Sequence, residues 1–324
     1  MSSTNGMMSK SKGFVAGGII ILLLILLPLQ KTIGSNYVVS LFFVLFIYIT
    51  LSQSWNLLGG YTGQFNIGLA AYFGSGALIF SLLSSGGISY YLAMLAGGIG
   101  AALLACIIGI PTLRLKGIYF GIGTLALAEA LRITVSSLWP TSTLVPPEYF
   151  ERYSMKEMYY LSLALAVLTV ATVYRVVNSK KGLALRAIRD EEEAARASGV
   201  SPAQHKIMVF MLSSFLIGLA GGVYSYQQGI ITPSHQFMPE WTFGPLVAAC
   251  IGGLGTITGP LLGSIIFVLL QELFSQTLGK VHFIITGMFF IIVVLFLPKG
   301  LVQSGIPLRR FLSGLISRKS KSNI

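Results

Sequence analysis

Between Tyr37 and Leu278 the chain runs again and again for about the twenty apolar residues that a helix needs to cross a hydrocarbon core, with short polar breaks between the runs. No single soluble core buries that many such runs, so lipid is the solvent for most of the chain. Charged residues are 10% of the 324, against about 25% in soluble domains, and the mean hydropathy is +0.79. The same composition excludes a disordered chain, a collagen and a disulfide scaffold. A net charge of +12 in so apolar a chain marks cytoplasmic loops and not a nucleic-acid surface. Cys106 and Cys250 fall inside apolar runs and read as small packing residues.

The runs lie at Gly13 to Leu29, Tyr37 to Leu58, Ile67 to Ser84, Ile88 to Ile110, Gly117 to Leu138, Met158 to Val177, Ile207 to Gly229, Thr242 to Leu254, Ile257 to Leu278 and Val281 to Leu297. They predict an all-α, polytopic integral membrane protein with about ten transmembrane or re-entrant helices. The first run is longer than a signal-peptide core and has no A-x-A site after it, so it is expected to be a retained anchor. Thr242 to Leu254 is too short to cross alone and either spans with help or re-enters. With the N-terminal tail inside and the runs alternating, only Lys31, Arg152, Lys156 and Lys280 fall outside. Arg132 lies within a span, and every other lysine and arginine is inside, which predicts that both termini are cytoplasmic. The domain reading is a cytoplasmic tail over 1–12, a transmembrane permease unit over 13–306 and a basic cytoplasmic tail over 307–324.

Two glycine-led stretches, Gly59 to Gly68 and Gly252 to Pro260, interrupt apolar sequence with polar residues, as broken helices at transport sites do. Gln64 and Asn66 carry both donors and acceptors, which suits them either to line a polar path or to satisfy backbone opened by the break. Glu129 and Arg132 stand three apart within a span and are expected to pair, as part of the translocation path or as a static brace. Glu272 falls near a span end, within reach of the interface. Gly255, Gly259 and Gly263 stand four apart, as do Gly218 with Gly222 and Gly117 with Gly121, which predicts close helix packing.

No G-x-x-x-x-G-K-[ST] phosphate loop occurs, so ATP is not bound here through a Walker motif. His205, His235 and His282 lie apart and share no metal-ligand spacing with cysteine, so no metal site is expected. Phe73-Gly74-Ser75-Gly76 lacks the leading glycine of a serine-protease motif. Ion-coupled carriers place several carboxylates or histidines in their spans, and only Glu129 and Glu272 qualify here. An ion-coupled secondary carrier is thus a rival reading, and an enzyme is disfavoured.

The one long, strongly charged loop is Asn178 to Lys206. Its segment Leu183 to Gly199 is rich in helix formers and ends on a glycine suited to a helix C′ position, with Ser201 and Pro202 set to cap and start a further helix. Glu193-Ala194-Ala195 followed by Gly199 resembles the E-A-A-x-x-x-G coupling loop of ABC importer permeases. Gly60 to Gln64, Leu113 to Tyr119 leading into Thr124-Leu125 and Glu129 to Arg132, Gly182 to Arg189, and Gly252 to Pro260 are similar, in the same order, to the LivM-type permease of branched-chain amino acid importers.

That resemblance implies a small amino acid as solute, branched-chain by default, moved by alternating access, with urea or another small solute as the alternative. It implies a sister permease in a heterodimer, two P-loop ATPase subunits and an extracytoplasmic binding protein, in the plasma membrane of a prokaryote. No cofactor is expected in this chain, ATP and Mg belonging to the ATPase partners. Arg186, Arg189, Glu193, Ala194, Ala195 and Gly199 would then couple the spans to the ATPase. Two departures from the family pattern stand out: Ile207-Met208-Val209 where an I-x-L-P ending is usual, and Trp139 to Pro147 where a G-G-x-x-G segment is usual.

Overall fold

The computed structural model describes residue 28 and residues 36–115, 117–139, 143–144, 154–278, 287–288 and 300–303. The runs Gly13 to Leu29 and Val281 to Leu297, apart from Pro28 and residues 287–288, and both expected tails lie outside them. The helices are α1 (Asn36–Thr62), α2 (Leu69–Ser85), α3 (Tyr90–Thr112), α4 (Ile118–Leu138), α5 (Met155–Val177), α6 (Lys180–Asp190), α7 (Glu192–Ala197), α8 (Pro202–Gln228), α9 (Pro233–Gln236), α10 (Glu240–Gly252), α11 (Thr258–Leu278) and α12 (Gly300–Gln303). Among the described residues, α1, α3, α4, α5, α8 and α11 are long and apolar enough to cross a membrane. The only sheet described is a two-residue antiparallel ladder, β1 (Thr143–Leu144) on β2 (Ile230–Ile231), with Thr143 opposite Ile231. It joins the two polar segments at the end of the bundle away from α6 and α7.

The 27-residue helix α1 is the hub, packed against α5, α8, α10 and α11. Its first half is held by rings: Phe46 meets Tyr159 of α5 edge-on at 5.4 Å, and Tyr48 meets Phe267 of α11 at 5.3 Å. Helices in lipid gain nothing from hiding apolar surface from one another, so close van der Waals fit has to hold them together. Glycine supplies that fit where α2, α3 and α8 meet. A Cβ on Gly76 would lie 2.5 Å from the Cα of Gly218, and one on Gly97 would lie 2.6 Å from the carbonyl oxygen of Gly76. Gly218 thus packs as its spacing predicts, and Gly222 sits against Met94.

Two other glycine expectations need correction. Gly255 lies outside any helix, in the turn between α10 and α11, while Gly259 and Gly263 pack α11 onto Gly252 and Ala248 of α10. The three therefore do not share one helical face, because the chain breaks at Gly253 before α11 begins. Gly117 precedes α4 and touches nothing within 4 Å, whereas Gly121 packs on Phe65 and Ile67. Cys106 and Cys250 are free thiols and half-buried.

The face that α3 turns away from the bundle is aliphatic throughout: Leu92, Leu95, Ile99, Leu103, Ile107 and Ile110 are all exposed. Such a face is solvated by acyl chains. Gly76→Leu is expected to over-pack the α2–α3–α8 junction at or above the upper end of the usual cost of about 1–3 kcal/mol. A thermal melt in detergent would show it as a lowered midpoint, whereas Gly86→Ala, whose nearest contact would be 3.4 Å away, should melt like the native chain.

Candidate functional site

Gln53, Trp55 and Asn56 occupy the last turns of α1 and are fully buried. Polar groups taken out of water without partners cost several kcal/mol, and here each one meets backbone that is not in a helix. Gln53 Nε2 donates to the carbonyl of Ile257 at 2.5 Å and Asn56 Nδ2 to that of Thr256 at 2.8 Å. Asn56 Oδ1 accepts from the Gly255 N–H at 2.8 Å. On another side of the helix, Trp55 Nε1 donates to the carbonyl of Asn66 at 2.7 Å. One helix thus supports both interruptions, residues 63–68 between α1 and α2 and residues 253–257 between α10 and α11. The last turn of α1 lies directly against the second interruption, since a Cβ on Gly60 would lie 2.6 Å from the nitrogen of Gly255.

Two donors at the first interruption are met from other helices. Ile67 N–H reaches Thr124 Oγ1 of α4 at 3.1 Å, and Ala70 N–H, in the first turn of α2, reaches Thr242 Oγ1 of α10 at 2.9 Å. Asn66 is buried and its Oδ1 accepts from Gly68 N–H at 2.8 Å, so its amide works on backbone. Of the two uses open to this residue, the structure places it in the supporting one. Gln64 lies beside it, with its carbonyl accepting from Asn66 N–H at 2.9 Å.

The charged loop folds as two helices where one was expected over 183–199. Glu191 is extended between α6 and α7. The break has an electrostatic reason: in one continuous helix the acidic run would sit mid-helix, whereas the break sets Glu192 and Glu193 in the first turn of α7, where the helix dipole favours negative charge. Both ends of α7 are fastened. Buried Lys206 of α8 reaches Glu192 at 2.7 Å. At the other end Gly199, with φ +83°, closes α7 through its N–H to Arg196 at 3.0 Å, and Val200 N–H bonds Ala195 at 3.1 Å. Ser201 and Pro202 start α8 as expected, though the serine hydroxyl makes no cap bond.

From α6, Arg189 Nη1 donates to the Gly60 carbonyl at 2.6 Å, and the Arg186 guanidinium stands 5.9 Å from the centre of the Tyr61 ring. A Cβ on Gly255 would lie 2.5 Å from that Arg189 nitrogen. A Cβ on Gly63 would lie 3.4 Å from Arg189 Cγ, so Arg189 bridges the two interruptions, at Gly63 beside the end of α1 and at Gly255. Glu193, Ala194 and Gly199 are exposed, but Ala195 turns inward and is buried, so of the alanine pair only Ala194 is open to a partner. Leu183, 66% exposed on α6, adds apolar surface to this charged face.

Glu129 and Arg132 form the expected pair, with Arg132 Nε on Glu129 Oε2 at 2.9 Å and a second contact between Nη2 and Oε1. Their side chains are 42% and 33% exposed. They are not gathered with Gln64 and Asn66, since α4 meets that segment through buried Gly121 and Thr124, at Phe65, Ile67 and Gly68. In a bilayer a charge pair on an outer face requires water or another polypeptide beside it.

A further feature was not found from sequence. Two adjoining cavities of about 390 and 300 Å³ share Tyr224, Glu240 and Trp241, at the end of α8 remote from α6 and α7. Glu272 lines the larger and accepts from Tyr37 Oη at 2.8 Å. Gln236 lines the smaller. The available signal was an acid placed immediately before a run too short to cross.

The family model described as the permease component of branched-chain amino acid transport systems matches residues 37–297. The high-affinity branched-chain amino acid transport permease LivM of Escherichia coli K12 is 25% identical over 328 residues, covering 91% of this chain and 77% of that protein. The probable LivM of Methanocaldococcus jannaschii is 24% identical, covering 79% and 90%, and the probable LivH of the same organism is 26% identical over 40% of this chain and 41% of its own. No solved structure matches. With the match running from α1 through α11, the chain belongs to the family of permease components of branched-chain amino acid transport systems.

Proposed function

We propose that the chain is the LivM-type permease subunit of an ABC importer in the plasma membrane of a prokaryote, moving leucine, isoleucine or valine inward by alternating access. The observation that carries the reading is the fastening of an exposed, charged helix pair to the junction of two helix interruptions through Arg189. A lysine and arginine excess puts α6 and α7 inside, with ten spans or re-entrant segments over 13–306 and both tails cytoplasmic. Two ATPase subunits lie beneath the permease pair and bind the ATP and Mg that drive the cycle, and one of them docks on this chain at the face of Arg186, Glu193, Ala194, Leu183 and Gly199. Arg189 and the bonded Glu192–Lys206 pair pass the movement of that face to α1 and α8.

A sister permease completes the path. The outer face of α4 suits it, because a second polypeptide there shields Glu129 and Arg132 from hydrocarbon, and the aliphatic face of α3 is left to lipid. A binding protein delivers solute at the opposite end, where the loop ladder β1–β2 lies.

Gentle extraction of the tagged chain followed by mass spectrometry is expected to bring down a P-loop ATPase and a second permease. A chain recovered alone, with detergent loss controlled, would sink this reading. Gly199→Arg should abolish uptake while the protein still reaches the membrane, because the substituted side chain projects into the docking face, whereas Gly199→Ala, strained alike at φ +83° but without that bulk, should retain most of it; normal uptake by the arginine variant would refute the docking assignment. Arg189→Ala removes a charge-assisted bond worth about 1.5–3 kcal/mol. Uptake per ATP hydrolysed should fall about tenfold or more, with Arg189→Lys intermediate.

A further inference from the structure

The second cavity is a consequence of a short helix. α10 has 13 residues, about 20 Å of rise, against about 30 Å of hydrocarbon. It starts part-way across: its second residue, Trp241, packs on Tyr48 at 6.4 Å and on Phe73 at 4.3 Å, and Tyr48 stands near the middle of α1. The space between that start and the bundle end is where the two cavities lie. The approach is fixed by Phe237, which fills the notch left by Gly74, and by Trp241 Nε1 on the His235 carbonyl at 3.1 Å.

The lining is chemically divided. At one side are acceptors: the Glu240 carboxylate, in no ion pair among the described residues, and Gln236 Oε1, in a residue 97% buried and with no donor on it among the described residues. A buried acceptor left unpaired costs about 1–3 kcal/mol, which a donor in the cavity removes once the Gln236 amide turns toward it. Aromatic faces stand beside them, with Trp241 and Tyr224 at 4.5 Å. Tyr224 Oη accepts from Gln228 Nε2 at 2.6 Å, so its own proton is available to an incoming carboxylate. At the other side Leu41, Val44 and Val268 offer aliphatic wall between polar Ser40, Gln271 and Glu272, the last already bonded to Tyr37. Carboxylate, carbonyl oxygen and ring faces together recognise an ammonium group.

We propose that this joined cavity is a solute site within the permease itself, on the delivery side. Glu240 and Gln236 take the α-ammonium group of an aliphatic amino acid, Tyr224 its carboxylate, and the Leu41–Val44–Val268 wall its side chain. The assignment rests on the importer reading above and adds to it where the solute sits after release and which group is recognised first. Its combined volume lies in the range of small-ligand pockets, about 300–1,000 Å³.

The test uses the purified transporter, both permeases and the ATPases together in nanodiscs without binding protein, followed by tryptophan fluorescence. L-Leucine and 3-methylbutylamine, which keeps the ammonium and loses the carboxylate, should each give a saturable change. 4-Methyl-2-oxopentanoate, which lacks the ammonium, should give none. Glu240→Gln, at an exposed carboxylate and so tolerated by the fold, should raise the half-saturating leucine concentration about 10- to 100-fold, the equivalent of one charge-assisted hydrogen bond. Gln236→Leu should raise it about tenfold. No saturable change, equal response to the oxo acid, or native half-saturation in both variants would overturn the site. Leucine uptake by cells lacking the chain is measured in parallel. Uptake abolished with a flat titration removes the cavity assignment alone, and uptake unchanged removes the importer reading together with the site that rests on it.

Discussion

Backbone out of helical geometry inside a bilayer has no water to turn to, so every N–H and C=O that a break exposes must be met by protein. That requirement organises this molecule. Gln53, Trp55 and Asn56 occupy three positions within four residues of α1, and through them one helix meets the backbone of both interruptions. Once these side chains commit α1 to two breaks at once, its neighbours have little freedom: α10 and α11 must turn where Asn56 can reach Gly255 and Thr256. The segment leading into α2 must likewise pass under the Trp55 indole. The glycines follow from the same demand, since the end of α1 approaches the second break more closely than a Cβ at Gly60 would permit, and Arg189 approaches it more closely than one at Gly255 would.

The same arrangement gives the bundle a mechanical axis. α10 ends at the junction that Arg189 touches from α6, and it begins at Glu240 and Trp241 on the floor of the cavity. α10 is a short helix of 13 residues with Pro245 inside it, and the half beyond that proline is packed on α11 through Ala248 and Gly252 against Gly259 and Gly263. Displacement of α6 by a docked partner acts on the Gly60 carbonyl and the Gly255 turn, and α10 carries it to the proposed solute site. Coupling by this route requires no long-range deformation of α1, whose first half is held by aromatic contacts with α5 and α11.

Much of this was legible in the sequence for a plain reason: bilayer thickness imposes a length on apolar runs, and the runs from Tyr37 to Leu58 and from Ile207 to Gly229 reappear as α1 and α8 with ends extended by a few residues. The Glu129–Arg132 pair was legible because it is local, set by helical spacing. What was not legible depends on contacts between distant segments. Gln64 and Asn66 attract attention in the sequence as polar residues at a break, yet the support comes mainly from α1, whose Gln53 and Asn56 are spaced as ordinary residues of an apolar helix. Ala195 and Ala194 are indistinguishable in the motif, and only the docking of α7 on α8 shows that one faces inward. Glu240 was missed because a lone acid in a loop ordinarily faces water. Its meaning appears when the following helix is seen to start mid-span.

The distribution of charge then separates the surfaces that meet different solvents. α3 shows hydrocarbon an unbroken aliphatic face, and α4, its sequence neighbour, carries a paired acid and base at comparable exposure. The rest of the outer face of α4 is mostly apolar, with Ile118, Ile122, Ile133 and Leu138 exposed, so the charge pair alone sets the two spans apart, and a charge at the centre of a bilayer helix costs at least about 2.5 kcal/mol. The difference assigns α4 to the proposed permease–permease boundary and α3 to the membrane. Gln236 ends α9, which packs against α4 as well as α2, so the cavity adjoins the helix given to that boundary. A solute held at Glu240 and Gln236 would therefore lie in one subunit beside the boundary, which puts recognition next to passage.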